Sequence, residues 1–135
     1  MSLTENKGII MRFIEEVLNN KDLNVINEIV AEDFLEHVPF PGQGPGRDGL
    51  RNVIIAFFTA FPDLHWTIDE QVAEDDNVVT RFTMTGTHQG DFMGIPATGK
   101  PINVWGVVMD VVRDGMFCES RIILDFPTLM RQLTS

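Results

Sequence analysis

The chain has 135 residues, with 20 acidic against 10 basic side chains, one Cys, ten Phe, two Trp and no Tyr. That length suits one domain spanning residues 1–135, and 44% hydrophobic content is enough for a packed core, which excludes disordered and disulfide-stapled classes. A formal charge of −10 repels phosphate backbones and anionic lipid, which argues against nucleic acid and membrane as partners, and the lack of Tyr removes any phenol from proton transfer.

Ser2-Leu3-Thr4-Glu5 has the form of a capping box. Ile10, Phe13, Ile14, Val17 and Leu18 then recur at helical spacing and predict a helix to about Asn19. Asp22 is placed to cap a second helix carrying Leu23, Ile26, Ile29 and Val30. Three Pro and three Gly between Pro39 and Gly46 forbid regular structure and predict a surface loop. A third helix, capped by Asp48, carries Leu50, Val53, Ile54, Phe57, Phe58 and Phe61 on one face and stops at Pro62. The chain is thus expected to be helical up to this point.

From Leu64 the period changes to two, with Leu64, Trp66 and Ile68 alternating against His65, Thr67 and Asp69, as in a half-buried strand. A turn at Asp75-Asp76-Asn77 leads into a long strand from Val78 to His88. After a Gly/Pro loop from Gly90 to Pro101, strands over Ile102–Arg113 and Met116–Leu124 are joined by Asp114-Gly115, a two-residue hairpin turn. Pro127 opens a short last helix to about Leu133. Helices followed by long antiparallel strands predict an α+β domain in which helices pack on one face of a curved sheet and leave an apolar cone as the pocket.

No apolar run approaches the roughly 18 residues of a membrane span. Met1-Ser2-Leu3-Thr4-Glu5 lacks the basic start and apolar stretch of a signal peptide. Cys118 has no partner for an internal disulfide, so a reducing, cytoplasmic location is expected.

Gly94-Ile95-Pro96-Ala97-Thr98-Gly99-Lys100-Pro101 matches phosphate-loop spacing until Pro101, which replaces the hydroxyl that magnesium needs. A strand follows where a helix N-terminus is required, so the segment reads as a loop between strands. His37, His65 and His88 share no ligand spacing, and no metal is expected. His65 lies on the polar phase of its strand. His88 either makes a structural hydrogen bond or stands at the pocket mouth, and His37 is placed to point into the cone. Arg81 is either an outer-face residue or a buried cation able to hold a carboxylate or enolate oxygen. Asp110, between Met109 and Val111, is a candidate acid or base, whereas Asp125 precedes the last helix as a cap or, alternatively, serves as a base. Phe57, Phe58, Phe61 and Met109 read as core.

Phe61-Pro62-Asp63-Leu64, Gly86-Thr87-His88-Gln89-Gly90, the Gly94 to Lys100 run, Asp114-Gly115 and Leu129-Met130-Arg131-Gln132-Leu133 together resemble the SnoaL-like polyketide cyclases of the NTF2-like superfamily. Arg12-Phe13-Ile14-Glu15-Glu16 and Ala31-Glu32-Asp33-Phe34 extend the resemblance over nearly the whole chain. It implies a cone-shaped barrel with a hydrophobic pocket for a ring-forming small molecule, a homodimer paired through the open sheet face, and no cofactor. It also implies a general-base aspartate on the last strand, which removes an acidic carbon proton so that a carbanion closes a ring.

In the family register that aspartate falls at Ile122, and an assisting histidine falls at Val108. Neither residue moves protons. The pocket is expected to draw on Phe34, His37, Phe57, Phe61, Arg81, His88, Val108 and Ile122, with Asp110, Asp125 or His37 as a relocated base. Two further readings stay open: a non-catalytic small-molecule-binding module, and a dimerisation module.

Overall fold

The computed structural model describes residues 2–135, so Met1 of the N-terminal stretch lies outside the described residues. Helix α1 spans Leu3–Arg12 and opens on the expected capping box, with Ser2 Oγ accepting from the Glu5 amide at 3.0 Å and Glu5 Oε1 from the Ser2 amide at 3.2 Å. It continues as a π-helical segment, Phe13–Asn19. The wider turn keeps Phe13, Ile14, Val17 and Leu18 buried together.

Asp22 caps as expected, accepting from the Asn24 amide at 3.1 Å, but the helical segment it opens is short: a 3-10 turn over Leu23–Val25 and a single turn of α2 over Ile26–Ile29. Val30 is not helical. It begins strand β1, Val30–Glu36, which pairs in parallel with the strand Met116–Leu124 and corrects the expectation of an all-helical first half. Helical spacing of Ile26, Ile29 and Val30 competes with strand formation here, and pairing to a distant strand decides the outcome.

Helix α3, Gly46–Ala60, starts two residues before the expected cap. Pro45 occupies the capping position, and Asp48 sits in the first turn, where it pairs with Arg51 at 2.7 Å. Gly46 has a φ of 71°, and a Cβ on Gly49 would lie 1.8 Å from the Gly44 carbonyl oxygen. The glycines therefore let the 39–46 loop fold tightly against α3.

Strands β2 (His65–Glu74), β3 (Asn77–Thr87), β4 (Pro101–Arg113) and β5 (Met116–Leu124) pair antiparallel in sequence, close to the expected spans. The β4–β5 turn uses Asp114 and Gly115, both at positive φ, as the two-residue loop demands. The sheet order is β1-β5-β4-β3-β2. Helix α4, Phe126–Thr134, begins at Asp125, whose carboxylate accepts from the Thr128 amide at 3.2 Å and its hydroxyl at 2.7 Å. No helix among the described residues is long and apolar enough to cross a membrane.

Candidate active site

Alternation along β4 turns Ile102, Val104, Val108 and Asp110 inward and leaves Trp105 and Met109 on the outer face. Register then builds the site. Val108 lies opposite Ile122, Asp110 opposite Ser120, and Glu36 at the end of β1 also opposite Ser120. Glu36, Ser120 and Asp110 therefore form one polar row across three neighbouring strands.

A cavity of about 80 Å³ lies between the sheet and the helices, and all three of these residues line it. Its remaining walls are mostly apolar, with Ile14, Phe34, Ile54, Trp66, Phe117 and Ile122 among them. The deep end is buried, whereas Glu36, Phe40, Gln43, Phe57 and Leu124 are half-exposed and mark the mouth under the 39–46 loop. Two lining side chains carry buried polar atoms without a partner: Trp66 at Nε1 and Asp110 at Oδ1. A buried polar atom left without a partner costs about 1–3 kcal/mol, which a bound polar group offsets.

Asp110 is 2% exposed. Desolvation pushes its carboxyl pKa well above the usual carboxylate range; the Ser120 hydroxyl opposes this, and the nearby Glu36 charge adds to it. Glu36 is raised as well, first by burial. Unlike Asp110, it is held by backbone donors that favour its charged form, Val38 N–H at 3.0 Å and Ile122 N–H at 3.3 Å, with Ser120 and His37 acting in the same direction. Ser120 sits between the two in register, and its hydroxyl favours the charged form of each carboxyl.

Of the residues expected in the pocket, Phe34, Phe57, Val108 and Ile122 line the cavity, and so does Asp110. The other placements differ. His37 turns to the surface, where Nε2 meets Glu119 at 2.8 Å while its backbone N–H donates to the Ser120 carbonyl. Phe61 is fully buried but packs behind the cavity against His88 and Phe92. His88 takes its structural alternative: Nδ1 accepts from the Thr98 amide at 3.2 Å and pins the loop before β4. Arg81 stands on the outer sheet face, its side chain 45% exposed and paired with Glu70 at 2.9 Å, because its neighbours Thr80 and Phe82 take the inward phase. Asp125 is occupied as the α4 cap, and its Thr128 hydrogen bonds lower its pKa, the opposite of what a base needs.

Sequence reasoning missed Glu36 and Ser120. Glu36 lies two residues from buried Phe34 and so shares its face, a signal that becomes readable once Val30–Glu36 is recognised as a strand.

The chain matches the family described as SnoaL-like polyketide cyclase over residues 8–133. It belongs to that family. Among solved structures it is similar to TsrD from Streptomyces laurentii, with 26% identity and a TM-score of 0.90 over 99% of this chain and 98% of that one. A proposed SnoaL-like polyketide cyclase from Jannaschia sp. CCS1 shares 25% identity at a TM-score of 0.89, covering 98% and 93% of the two chains. IdmH, a proposed polyketide cyclase from Streptomyces antibioticus, shares 33% identity at a TM-score of 0.83, covering 96% and 99%. No curated protein sequence matches the chain. Within this SnoaL-like fold, the α+β cone expected from the sequence is the architecture observed.

Proposed function

We propose that this SnoaL-like protein binds a small, largely apolar, ring-forming molecule in the cone and acts on it as a cofactor-free cyclase or isomerase whose proton-moving group is Asp110. The observation that carries this reading is a fully buried carboxyl with one oxygen unpartnered in the wall of an apolar cavity, where desolvation pushes its pKa up. A neutral acid in such a site donates a hydrogen bond to a carbonyl oxygen and stabilises the negative charge that develops there. Enclosure supplies the rest by holding a flexible chain folded for ring closure. The relation to IdmH, a proposed polyketide cyclase, supports a polyketide-like carbonyl substrate.

The test is turnover of an aromatic polyketide methyl ester followed by chromatography. Wild-type protein is expected to form a cyclised or isomerised product, and Asp110→Asn to lose about 10²–10⁴-fold in rate while still binding, the usual range for one acid–base group. Binding with no turnover by either form would favour the second reading, a non-catalytic binding module. That alternative draws on Val108 and Ile122, inert residues that face the cavity where the family resemblance calls for proton-moving ones. On either reading we place a homodimer contact on the outer sheet face, where Val72, Trp105, Met109 and Ile123 are exposed.

A further inference from the structure

The family register puts a base at position 122, and Ile122 cannot serve. Its backbone N–H, however, donates to Glu36 Oε2 at 3.3 Å, so a carboxyl from β1 lies beside the position that lost its own. We propose that Glu36 is the general base of this site and Asp110 its general acid, acting together on an enolisable carbonyl compound. This rests on the reading of Asp110 given above and adds the partner that reading lacks.

Three observations carry it. Glu36 lines the cavity near its mouth while Asp110 lies deep, so the two carboxyls present themselves to one bound molecule from different depths. They are two strands apart on one row, with Ser120 between them. Strand spacing puts their Cα atoms about 10 Å apart, and both side chains reach the same cavity. The environments also divide the roles: Glu36 has two backbone N–H donors supporting a carboxylate, whereas Asp110 has a buried oxygen that no protein group partners, in a mostly apolar wall. Paired carboxyls whose surroundings push them apart in this way make an acid and a base.

The Glu36 carboxylate takes the proton α to the carbonyl, so that an O–H bond forms as the C–H bond breaks. The freed electron pair becomes the C=C bond of an enol as the carbonyl oxygen takes the Asp110 proton. The enol carbon then attacks a second carbonyl of the same chain and forms the ring C–C bond. The proton on Glu36 passes to the new alkoxide, and the enol O–H proton returns to Asp110. Substrate and product are isomers, and both carboxyls end as they began.

The experiment tracks exchange of the α-hydrogens of 2-tetralone in deuterated buffer by proton NMR, with binding measured by titration of the same probe. Wild-type protein is expected to accelerate exchange over buffer. Glu36→Gln, which keeps an acceptor oxygen for the Val38 and Ile122 amides, is expected to lose about 10²-fold or more with affinity unchanged within about threefold. Ile122→Asp added to Glu36→Gln is expected to recover at least about tenfold by restoring a carboxylate at the family position. Exchange by Glu36→Gln at the wild-type rate, with Asp110→Asn inactive, overturns the base assignment and leaves the Asp110 reading standing. A wild-type protein that binds the probe without accelerating exchange overturns both, and one that does not bind it overturns the small-molecule reading itself.

Discussion

At Asp110 a stability penalty and the proposed chemical use come from the same burial. Its native pKa is raised, so between the ordinary carboxylate range and that raised value the native state holds a proton the unfolded chain has released. Stability from this group is therefore greatest at acid pH and falls as pH rises. Asp110→Asn removes the penalty, so its melting temperature is expected to match wild type near pH 4 and exceed it by several degrees near pH 8, since about 1 kcal/mol moves a domain of this size by about 3–5 °C. Calorimetry of both proteins across that range checks it; a gap independent of pH would show that burial of the charge is not the cause. Comparing the two proteins at each pH cancels other carboxyls, such as half-buried Glu119 and exposed Asp63, whose lowered pKa values act in the opposite direction.

Among the elements, the π-helical end of α1 matters because of where it leaves Asn19. Strand β2 is the sheet edge, and the Trp66 backbone has no strand beyond it. Asn19 covers that edge reciprocally, Oδ1 accepting from the Trp66 amide at 2.7 Å and Nδ2 donating to its carbonyl at 2.9 Å. The pair also holds Trp66, a cavity-wall residue stacked on Phe82 at 3.8 Å between ring centroids. Asn19→Ala strands two part-buried backbone groups and is expected to lower the unfolding free energy by about 1–3 kcal/mol in urea titrations with the slope unchanged. A loss under about 0.3 kcal/mol would mean that water replaces the side chain at no cost. Neither the π geometry nor β1 was legible in the spacing of apolar residues. The acid-rich Val30–Glu36 segment becomes a strand through its pairing with β5, and the π-helical end carries the Asn19 contacts to Trp66.

For the whole molecule, the concave side of the sheet is covered by helices while the convex side is bare. On that side Val79 lies opposite both Val72 and Met109, and Val107 opposite Ile123, so apolar rows run across the strands among charged ones such as Arg81 and Arg121. Pairing two such faces gives a species of twice 15.2 kDa, and sedimentation at micromolar concentration is expected to find it. Trp105→Glu is expected to return the protein to the monomer mass with its fold intact; a monomer already in the wild-type protein removes the dimer. With 20 acids against 10 bases, the charge repels two copies, and the association is expected to strengthen as salt screens that repulsion.

What the sequence determined by itself was set by local periodicity. The capping box, the buried face of the first helix, the Asp114-Gly115 hairpin and the inward phase shared by Val108 and Asp110 all derive from neighbours a few residues apart, and all are present in the structure. The tertiary structure alone decided which strands became neighbours. Parallel pairing of β1 with β5 brought Glu36 beside Ser120 and Asp110 and put its carboxyl against the Ile122 amide. It also turned His37 to the surface. The phase of a side chain along a strand is a two-residue property, but the row it joins depends on long-range pairing, and the candidate acid–base pair exists only along such a row.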